Sequence, residues 1–277
     1  MQIREPCLPP GWYPRTGGEI SRFLSDFVQT DAAPSVAAIA PHAGWFYSGR
    51  IAAAAVSALD RKAETAVILG GHLPAGAPPL FAGEDAVRTP LGNMPLDREL
   101  REALKKEFGG REDRYQDNTV EALLPMVHFF LPGAKLLWLR LPAELNSFEA
   151  GKALARTGKT LGRSLTVLGS TDLTHYGDNY GFSPQGRGAK ALRWVREQND
   201  RAFIEAVEGG IPEKILERAE SDQSSCSVGA VLGVLGYTQT LGPSRARLLA
   251  YGTSADVPAD EVPGSFVGYA AFGFYMA

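Results

Sequence analysis

Four short apolar runs, separated by stretches of helical pattern, constrain the fold of this chain more than any other feature. The runs span residues 36–40, 65–69, 135–141 and 165–169, and their apolar residues are continuous rather than alternating with polar ones. Continuous apolar strands are typical of a parallel sheet that is covered by helices on both faces. The sequence therefore predicts an α/β fold with a largely parallel central sheet flanked by helices.

The remaining elements complete a single predicted domain that spans residues 1–277. A hairpin is expected around residues 86–94, and two further strands are expected over residues 246–251 and 266–274. Periodicity predicts helices over residues 48–59, 97–108, 120–130, 147–161, 188–207, 212–219 and 225–235. Because no repeat, linker or low-complexity segment divides the chain, one domain is predicted.

Charge, hydropathy and cysteine content exclude several classes of protein. The net charge is −3 with acids and bases interspersed, which argues against a nucleic-acid partner. No apolar run approaches the length of a membrane span, and the first residues do not resemble a signal peptide, so no membrane partner is expected. Cys7 and Cys226 are a poor disulfide framework for a chain of 277 residues. A reduced, cytoplasmic compartment is therefore expected.

The histidines form a pattern along the predicted sheet. Of the four, His42, His72 and His175 lie at, or a few residues beyond, the carboxyl end of a predicted strand. Ligands of open α/β sheets bind along that edge, so we expect these three side chains to converge there. A single histidine in such a place more often caps a helix or fills a gap, but three equivalent positions favour a site. His128 lies within an apolar stretch and is expected in or near the core.

Four motifs resemble those of one known family. REPCLPPGWYP, APHAGWFYSGRIAA, VLGSTDLTHYG and YGTSAD…FVGYAAFGFY occur in this order, from residue 4 to the last predicted strand. Together they are similar to the Memo-like family, known as mediator of cell motility in animals and as AmmeMemoRadiSam system protein B in microbes. That family resembles the class III extradiol dioxygenases in fold, which implies an α/β architecture with a metal cleft.

The resemblance implies a metal pocket and its ligands. His42 of PHAG and His72 of LGGH match the two metal-pocket histidines, and Cys226 of SSCSVGA matches a cysteine that replaces the dioxygenases' carboxylate ligand. Two imidazoles and a thiolate suit iron(II), with copper or zinc as alternatives. Cys226 is also expected at the start of the helix over residues 225–235, where the helix dipole lowers the pKa of a thiol.

The resemblance also implies residues that act on a substrate. His175 matches the acid–base histidine of the dioxygenases, and Asp172 is the acidic residue beside it. Imidazole suits proton transfer because its ordinary pKa of about 6.5 lies near neutrality. Tyr47 and Trp12 match aromatic positions near the pocket and are the expected substrate-binding residues. The implied partners are an unidentified small molecule or peptide and, in a shared pathway, radical-SAM and AMMECR-type proteins.

Three segments depart from the family's pattern. Residues 69–72 read LGGH, which is one residue shorter than the family's spacing of glycine and histidine. Residues 117–125 read DNTVEALLP where the family has EHSLEVQLP, so Asn118 replaces a histidine while Glu121 and Pro125 are kept. Cys226 is followed by SVGA, without the family's glycine and proline at the matching positions. These changes alter the surroundings of the predicted pocket and leave the predicted fold unchanged.

Three functions are compatible with these residues. The first is a metal-dependent oxidoreductase whose reaction is not the usual catechol cleavage, because a thiolate replaces a carboxylate ligand. The second is a catalytically inactive module that binds a small molecule or peptide in the same pocket. The third is a hydrolase using Ser170, His175 and Asp172. The close spacing of these three residues and the lack of a G-x-S-x-G elbow argue against it.

Overall fold

The computed structural model describes residues 1–28, 33–258 and 261–277. Its strands, in chain order, are β1 (Ile3–Arg4), β2 (Ala37–Ala40), β3 (Thr65–Leu73), β4 (Leu80–Phe81), β5 (Ala86–Thr89), β6 (Gly92–Pro95), β7 (Arg111–Glu112), β8 (Lys135–Pro142), β9 (Leu165–Ser170), β10 (His175–Gly177), β11 (Ser244–Thr253) and β12 (Ser265–Met276). Its α-helices are α1 (Gly17–Leu24), α2 (Trp45–Ser57), α3 (Arg98–Phe108), α4 (Asn118–Glu121), α5 (Leu124–Phe130), α6 (Asn146–Thr160), α7 (Ala189–Trp194), α8 (Asp200–Gly209), α9 (Pro212–Ser221) and α10 (Val228–Leu241).

The main sheet has a parallel centre and antiparallel strands toward its edges. Its strand order is β10-β12-β2-β9-β3-β8-β4-β7, with β11 also paired to β12. The ladders that join β2, β9, β3 and β8 are parallel, whereas β12 runs antiparallel to β2. Helix α10 packs against β3, β8, β9 and α6, and α2 packs against β2, β11 and β12. The predicted α/β fold is confirmed, while the assignment of residues 1–277 to one domain stays a prediction.

The structure divides two of the predicted helices. The helix predicted over 120–130 is two short helices, α4 and α5, and Pro125 lies in the first turn of α5. Proline fits that position because its ring fixes a helical φ and the first turn needs no donor from it. The helix predicted over 188–207 contains a π-helical turn, Val195–Asn199, between α7 and α8. Such turns insert one residue into a helix, and periodicity alone does not reveal them.

A buried carboxylate fastens the amino-terminal segment to the rest of the fold. The Glu121 side chain is 8% exposed and accepts hydrogen bonds from the backbone N–H groups of Cys7 and Leu8. It also accepts from the Cys7 thiol at 2.6 Å and from the Tyr13 hydroxyl at 2.9 Å. These four donors compensate for the loss of water around the buried carboxylate, because a buried charge requires hydrogen-bonding partners. Glu121 and Cys7 therefore have a structural role.

The same segment places Trp12 beside α2. The backbone N–H of Trp45, the first residue of α2, donates to the Trp12 carbonyl at 2.8 Å. The Trp45 indole is 4% exposed and donates to the carbonyl of Ala122 at 2.8 Å. The amino-terminal segment, α2 and α4 are thus joined at one end of the sheet. None of the helices in the described parts of the chain is both long enough and apolar enough to cross a membrane.

Candidate functional site

The carboxyl ends of the parallel strands bring three potential ligands together. His42 follows β2 by two residues, His72 lies near the end of β3, and Cys226 lies just before α10. One ligand atom of each side chain lies within 4.8 Å of the others. The two imidazole rings meet edge to face, with centroids 5.0 Å apart. Residues separated by up to 184 positions therefore form one cluster, which we call the His/His/Cys cluster.

Hydrogen bonds fix the orientation of His42. Its ring is buried, with Nδ1 2.8 Å from Oγ of Ser170 at the end of β9. The opposite nitrogen, Nε2, lies 3.4 Å from Sγ of Cys226. The backbone N–H of His42 donates to Oδ1 of Asp172 at 2.7 Å. Ser170 thus serves His42 and not His175, which removes the contact that the hydrolase interpretation requires.

His72 lies in an irregular part of β3 rather than after its end. The strand predicted over 65–69 continues to Leu73, and its register with β8 shifts between Gly70 and Leu73. His72 has φ of +57°, a left-handed conformation that is uncommon for residues other than glycine. Gly71 packs so closely on the segment before α10 that an added Cβ would lie 2.4 Å from Cβ of Ser227. The glycine therefore permits the approach of β3 to Cys226.

An ion-pair network holds the other side of His72. Nδ1 of His72 lies 3.2 Å from Oδ2 of Asp117, and Nη2 of Arg140 lies 3.0 Å from the same oxygen. The Arg140 side chain is 6% exposed, donates to the Gly71 carbonyl, and contacts Asp113 at 3.4 Å. Asp117 and Arg140 were not among the predicted site residues. The only signal was that Asp117 begins one of the segments that depart from the family's pattern.

The structure corrects the predicted position of Cys226. Helix α10 begins at Val228 with Ser227 as its N-cap, so Cys226 precedes the helix rather than starting it. Burial alone would raise the pKa of the Cys226 thiol, but the neighbouring His42 and His72 imidazoles outweigh it and hold that pKa well below its ordinary value. The Asp172 backbone N–H also donates to Sγ at 3.3 Å. The two imidazoles are the largest causes that lower this pKa.

The pKa values of His42 and His72 are raised, whereas that of Cys226 is lowered. Burial lowers the pKa of His72, but Asp117 and Cys226 more than offset this effect and raise the pKa to about 10. Burial likewise lowers the pKa of His42, and the charges of Asp172 and Cys226 raise it above the ordinary value. In the absence of a metal ion, these shifts favour a thiolate at Cys226 and a protonated imidazole at His72.

The donor atoms fit a single metal ion. Bonds of zinc to imidazole nitrogen and thiolate sulfur are about 2.0–2.3 Å long, so two donors of one ion lie at most about 4.5 Å apart. Nε2 of His42 lies 3.4 Å from Sγ of Cys226, and all three donor atoms lie within 4.8 Å of one another, so small side-chain movements would bring them to one ion. Each Nδ1 is engaged by a side chain of another strand or loop, which leaves both Nε2 atoms for the ion. Partners of this kind are what ordinarily fix a ligating histidine.

The two cysteines are expected to differ in reactivity in metal-free protein. Burial and the Glu121 carboxylate raise the pKa of Cys7 to about 12, whereas the pKa of Cys226 is lowered. Since the thiolate is the reactive form, the Cys7→Ser variant should be alkylated by iodoacetamide at a rate that hardly changes above about pH 7. The Cys226→Ser variant should react slowly there and faster as the pH rises. An ordinary thiol titration in Cys7→Ser would contradict this prediction.

A cavity of about 690 Å³ adjoins the cluster. Its walls include Trp12, Tyr47, Asp172 and His175, the four residues predicted to act on or bind a substrate. Asp172 lies both on the cavity wall and beside the His/His/Cys cluster, because its Oδ2 is 3.9 Å from Nε2 of His42. The roles of these residues stay predictions. Their convergence on one cavity beside the cluster is what the structure adds.

His175 lies on the cavity wall and starts β10. It pairs with Val267 of β12, and its ring packs edge to face on Tyr180 with centroids 4.9 Å apart. Tyr180 and Tyr269 also line the cavity, and neither was predicted to be a site residue, although Tyr269 lies in the motif FVGYAAFGFY. Burial, followed by the charge of Asp172, raises the pKa of both phenols. His128 lies elsewhere, half-buried, with Nδ1 2.7 Å from Oγ1 of Thr89.

A second buried carboxylate supports the loop that carries His175. Asp200 is fully buried and accepts hydrogen bonds from the Thr174 backbone and hydroxyl and from the Tyr251 hydroxyl at 2.8 Å. Burial outweighs these bonds and raises the pKa of Asp200 to about 6. The negative charge is therefore costly at neutral pH, even with three donors.

The stability of the protein should reflect this raised pKa. Because the pKa of Asp200 is higher in the folded protein than in the unfolded protein, protonation of Asp200 stabilises the folded state. This stabilisation is complete below the unfolded-state pKa and is lost as the pH rises through about 6. The Asp200→Asn variant should therefore gain up to about 3 kcal/mol in unfolding free energy relative to wild type between about pH 4 and 7. Urea unfolding of both proteins measures this difference, and Asp178→Asn, an exposed carboxylate, is the control. A constant difference across that range would contradict it.

Known proteins resemble this chain over most of its length. The sequence matches the family described as Memo-like protein over residues 4–273. A MEMO1 family protein of Pyrococcus abyssi is 29% identical over 289 residues, covering 97% of this chain and 98% of that protein. A MEMO1 family protein of Methanococcoides burtonii is 31% identical over 243 residues, covering 85% of each chain.

Among solved structures, the crystal structure of an uncharacterized protein from Escherichia coli K12 aligns with a TM-score of 0.45 and 12% identity, over 86% of this chain and 99% of that one. The family match rests on the sequence comparisons and extends over nearly the whole chain. This chain belongs to the Memo-like family.

Proposed function

We propose that the His/His/Cys cluster is a metal centre that serves a reaction on an organic substrate in the adjoining cavity. The observation that carries this proposal is the convergence of His42, His72 and Cys226 from three separate segments at one edge of the sheet. Each imidazole is also oriented by its own hydrogen-bonding partner, His42 by Ser170 and His72 by Asp117. An accidental cluster would not need such partners.

The donor set favours iron(II), with copper or zinc as alternatives. Imidazole suits all three metals, and thiolate excludes magnesium and calcium because these ions prefer oxygen ligands. Iron(II) bound by three protein ligands keeps open positions and would supply the activation of dioxygen. A thiolate is a stronger donor and is more easily oxidised than a carboxylate. We therefore expect redox or oxygen-dependent chemistry that differs from the usual catechol cleavage.

The chain's own residues would bind the substrate and move its protons. His175 faces the cavity from β10, where its imidazole would transfer a proton to or from the substrate. Asp172 is 3% exposed, accepts from the His42 backbone, and lies between the cluster and the cavity, where it can hold a proton or orient the substrate. Trp12 and Tyr47 would contact the substrate from the parts of the wall formed by the amino-terminal segment and α2.

One observation favours a second candidate, a binding module without metal or catalysis. The thiolate of Cys226 and the imidazolium of His72 compensate each other's charge, so the cluster needs no ion to remain satisfied. In that case the cavity alone would hold a small molecule or peptide. Association with radical-SAM and AMMECR-type proteins, and a cytoplasmic location, are compatible with both candidates and remain part of the proposal.

Oxygen uptake tests which candidate is right. The protein is loaded anaerobically with iron(II), or separately with copper(I), and oxygen consumption is followed with a panel of phenols, catechols and thiols. We expect metal-dependent oxygen uptake that is lost in His42→Ala and Cys226→Ser. It should be kept in Cys7→Ser, because Cys7 is hydrogen-bonded to Glu121 and is not part of the His/His/Cys cluster. Rapid ring cleavage of catechol would contradict the expected departure from dioxygenase chemistry. Absence of uptake with all metals and substrates would favour the binding module.

A further inference from the structure

One buried side-chain amide joins the loop that carries His175 to the loop that carries Cys226. Nδ2 of Asn199 donates to Oγ1 of Thr174 and to the carbonyl oxygen of Asp222, both at 2.9 Å. An amide nitrogen carries two hydrogens, so one group can serve both acceptors. Thr174 directly precedes His175, and Asp222 lies four residues before Cys226. The amide therefore links the substrate side of the site to its thiolate side.

The neighbouring Asp200 fixes the direction of these hydrogen bonds. Oδ1 of Asp200 accepts from both the backbone N–H and the hydroxyl of Thr174. The Thr174 hydroxyl has then spent its proton, so its oxygen is left to accept from Asn199. Asn199 is 6% exposed, and Thr174 and Asp200 are fully buried. Because water does not replace a lost partner in such a place, every bond of this chain contributes to holding the two loops.

A local irregularity of the helix places this pair of side chains. Asn199 ends the π-helical turn Val195–Asn199, and Asp200 begins α8. In a regular α-helix two consecutive side chains point about 100° apart, because 3.6 residues complete one turn. Asn199 and Asp200 nevertheless bond to the same residue, Thr174, and the wider π-helical turn accommodates this arrangement. Turns of this kind are rare and frequently lie at functional sites.

The loop before Cys226 depends on contacts from outside itself. In the described parts of the chain, two residues other than glycine have φ in the left-handed region, His72 at +57° and Gln223 at +48°. Both lie on segments that carry a member of the His/His/Cys cluster. A side chain in this conformation is unfavourable and persists where its surroundings hold it. The bond from Asn199 to the carbonyl of Asp222, the residue before Gln223, is one contact that does so.

We propose that Asn199 is a positioning residue of the metal centre. By holding Thr174 and Asp222 together, it sets where the Cys226 loop lies relative to the His175 loop. The inference rests on the proposed function in taking the His/His/Cys cluster as a metal centre beside a substrate cavity. Loss of the amide lets the two loops separate, which displaces the thiolate from the two imidazoles.

Variants at the two ends of the link test this proposal on the full chain. Asn199→Ala and Thr174→Val should each weaken zinc(II) binding by roughly 10-fold and change the visible spectrum of the cobalt(II) protein. Thr174→Ser keeps the hydroxyl and should match wild type. Thr157→Val is the control, because it removes a buried hydrogen bond to Glu107 between α6 and α3. It should lower stability to urea without changing zinc affinity or spectrum. Wild-type affinity and spectrum in the two link variants would overturn the proposal.

Hydrogen exchange of metal-free protein gives a second measurement that does not require a bound ion. We expect Asn199→Ala to accelerate exchange at least about 5-fold in segments 172–176 and 222–227 together, and Thr157→Val in neither. Should Asn199→Ala not fold, Thr174→Val and Thr174→Ser give the same comparison. Acceleration in only one segment, or in neither, would overturn the inference.

The two measurements also separate this inference from the proposed function. Zinc binding by wild type, with neither affinity nor exchange altered in Asn199→Ala, overturns the positioning role alone. The expected exchange in a chain that binds no metal overturns the proposed metal centre alone.

Discussion

Replacing Cys226 with serine is expected to weaken zinc(II) binding by at least roughly 100-fold. The substitution exchanges a thiolate, which carries the negative charge of the ligand set, for a neutral hydroxyl that remains protonated. It keeps nearly the same size, so the surrounding contacts with Thr171 and Asp172 need not change. Competition with a chromogenic chelator measures the dissociation constant of each protein, and urea unfolding confirms that the variant is folded.

Cys7→Ser is the matched control for this result. Cys7 and Cys226 are both half-buried, but the Cys7 thiol donates a hydrogen bond to the Glu121 carboxylate and its pKa is raised rather than lowered. We expect wild-type zinc affinity in Cys7→Ser. Loss of binding in both variants would indicate a general effect of cysteine removal. Wild-type affinity in Cys226→Ser would show that the ion, if it binds, is held elsewhere.

Replacing Asp117 with asparagine is expected to weaken metal binding by roughly 10- to 100-fold, although Asp117 is not itself in the His/His/Cys cluster. Its Oδ2 lies 3.2 Å from Nδ1 of His72 and 3.0 Å from Arg140. The carboxylate therefore orients the imidazole and increases its basicity, while Arg140 holds the carboxylate in place. Asparagine keeps the shape but loses the charge that does both.

Asp113→Asn separates this effect from damage to the ion-pair network. Asp113 contacts Arg140 at 3.4 Å and is buried, as Asp117 is, but His72 is hydrogen-bonded to Asp117 and not to Asp113. The Asp113 variant should lose stability without a comparable loss of metal affinity. Cobalt(II) gives a second measurement, since its visible spectrum reports the ligand field and should change in Asp117→Asn only. Equal losses of affinity in the two variants would assign Asp117 a structural role.

The sequence predicts at which edge of the sheet the site lies, because ligands of a parallel α/β sheet bind at the carboxyl ends of its strands. Residues that follow β2, β3 and β9 must meet at the carboxyl edge, since neighbouring parallel strands end on the same side. Their positions at strand ends, together with the family resemblance, therefore predicted that His42 and His72 lie near each other. The position of Cys226 needed the family resemblance, because the segment before α10 carries no periodic pattern that fixes where it approaches the sheet.

The supporting residues could not be predicted, for two physical reasons. Asp117 and Arg140 are far from His72 in the sequence, and charged residues in such positions usually lie on the surface. The irregular register of β3 after Gly70 also shifts His72 in a way that a regular strand pattern does not contain. Tyr180 and Tyr269 join the cavity through β10 and β12, whose pairing brings distant segments together. Side-chain networks of this kind depend on tertiary contacts rather than on local sequence.

Metal binding by the full chain tests the central claim most directly. The protein is purified without a metal-affinity tag, stripped of metal, and titrated under anaerobic conditions with iron(II), zinc(II) and copper(I), followed by elemental analysis. The arrangement of His42, His72 and Cys226 predicts one ion per chain at micromolar concentration or below, and no bound ion in His42→Ala. No binding of any of the three metals at micromolar concentration would contradict the proposed metal centre and leave the cavity as a binding module.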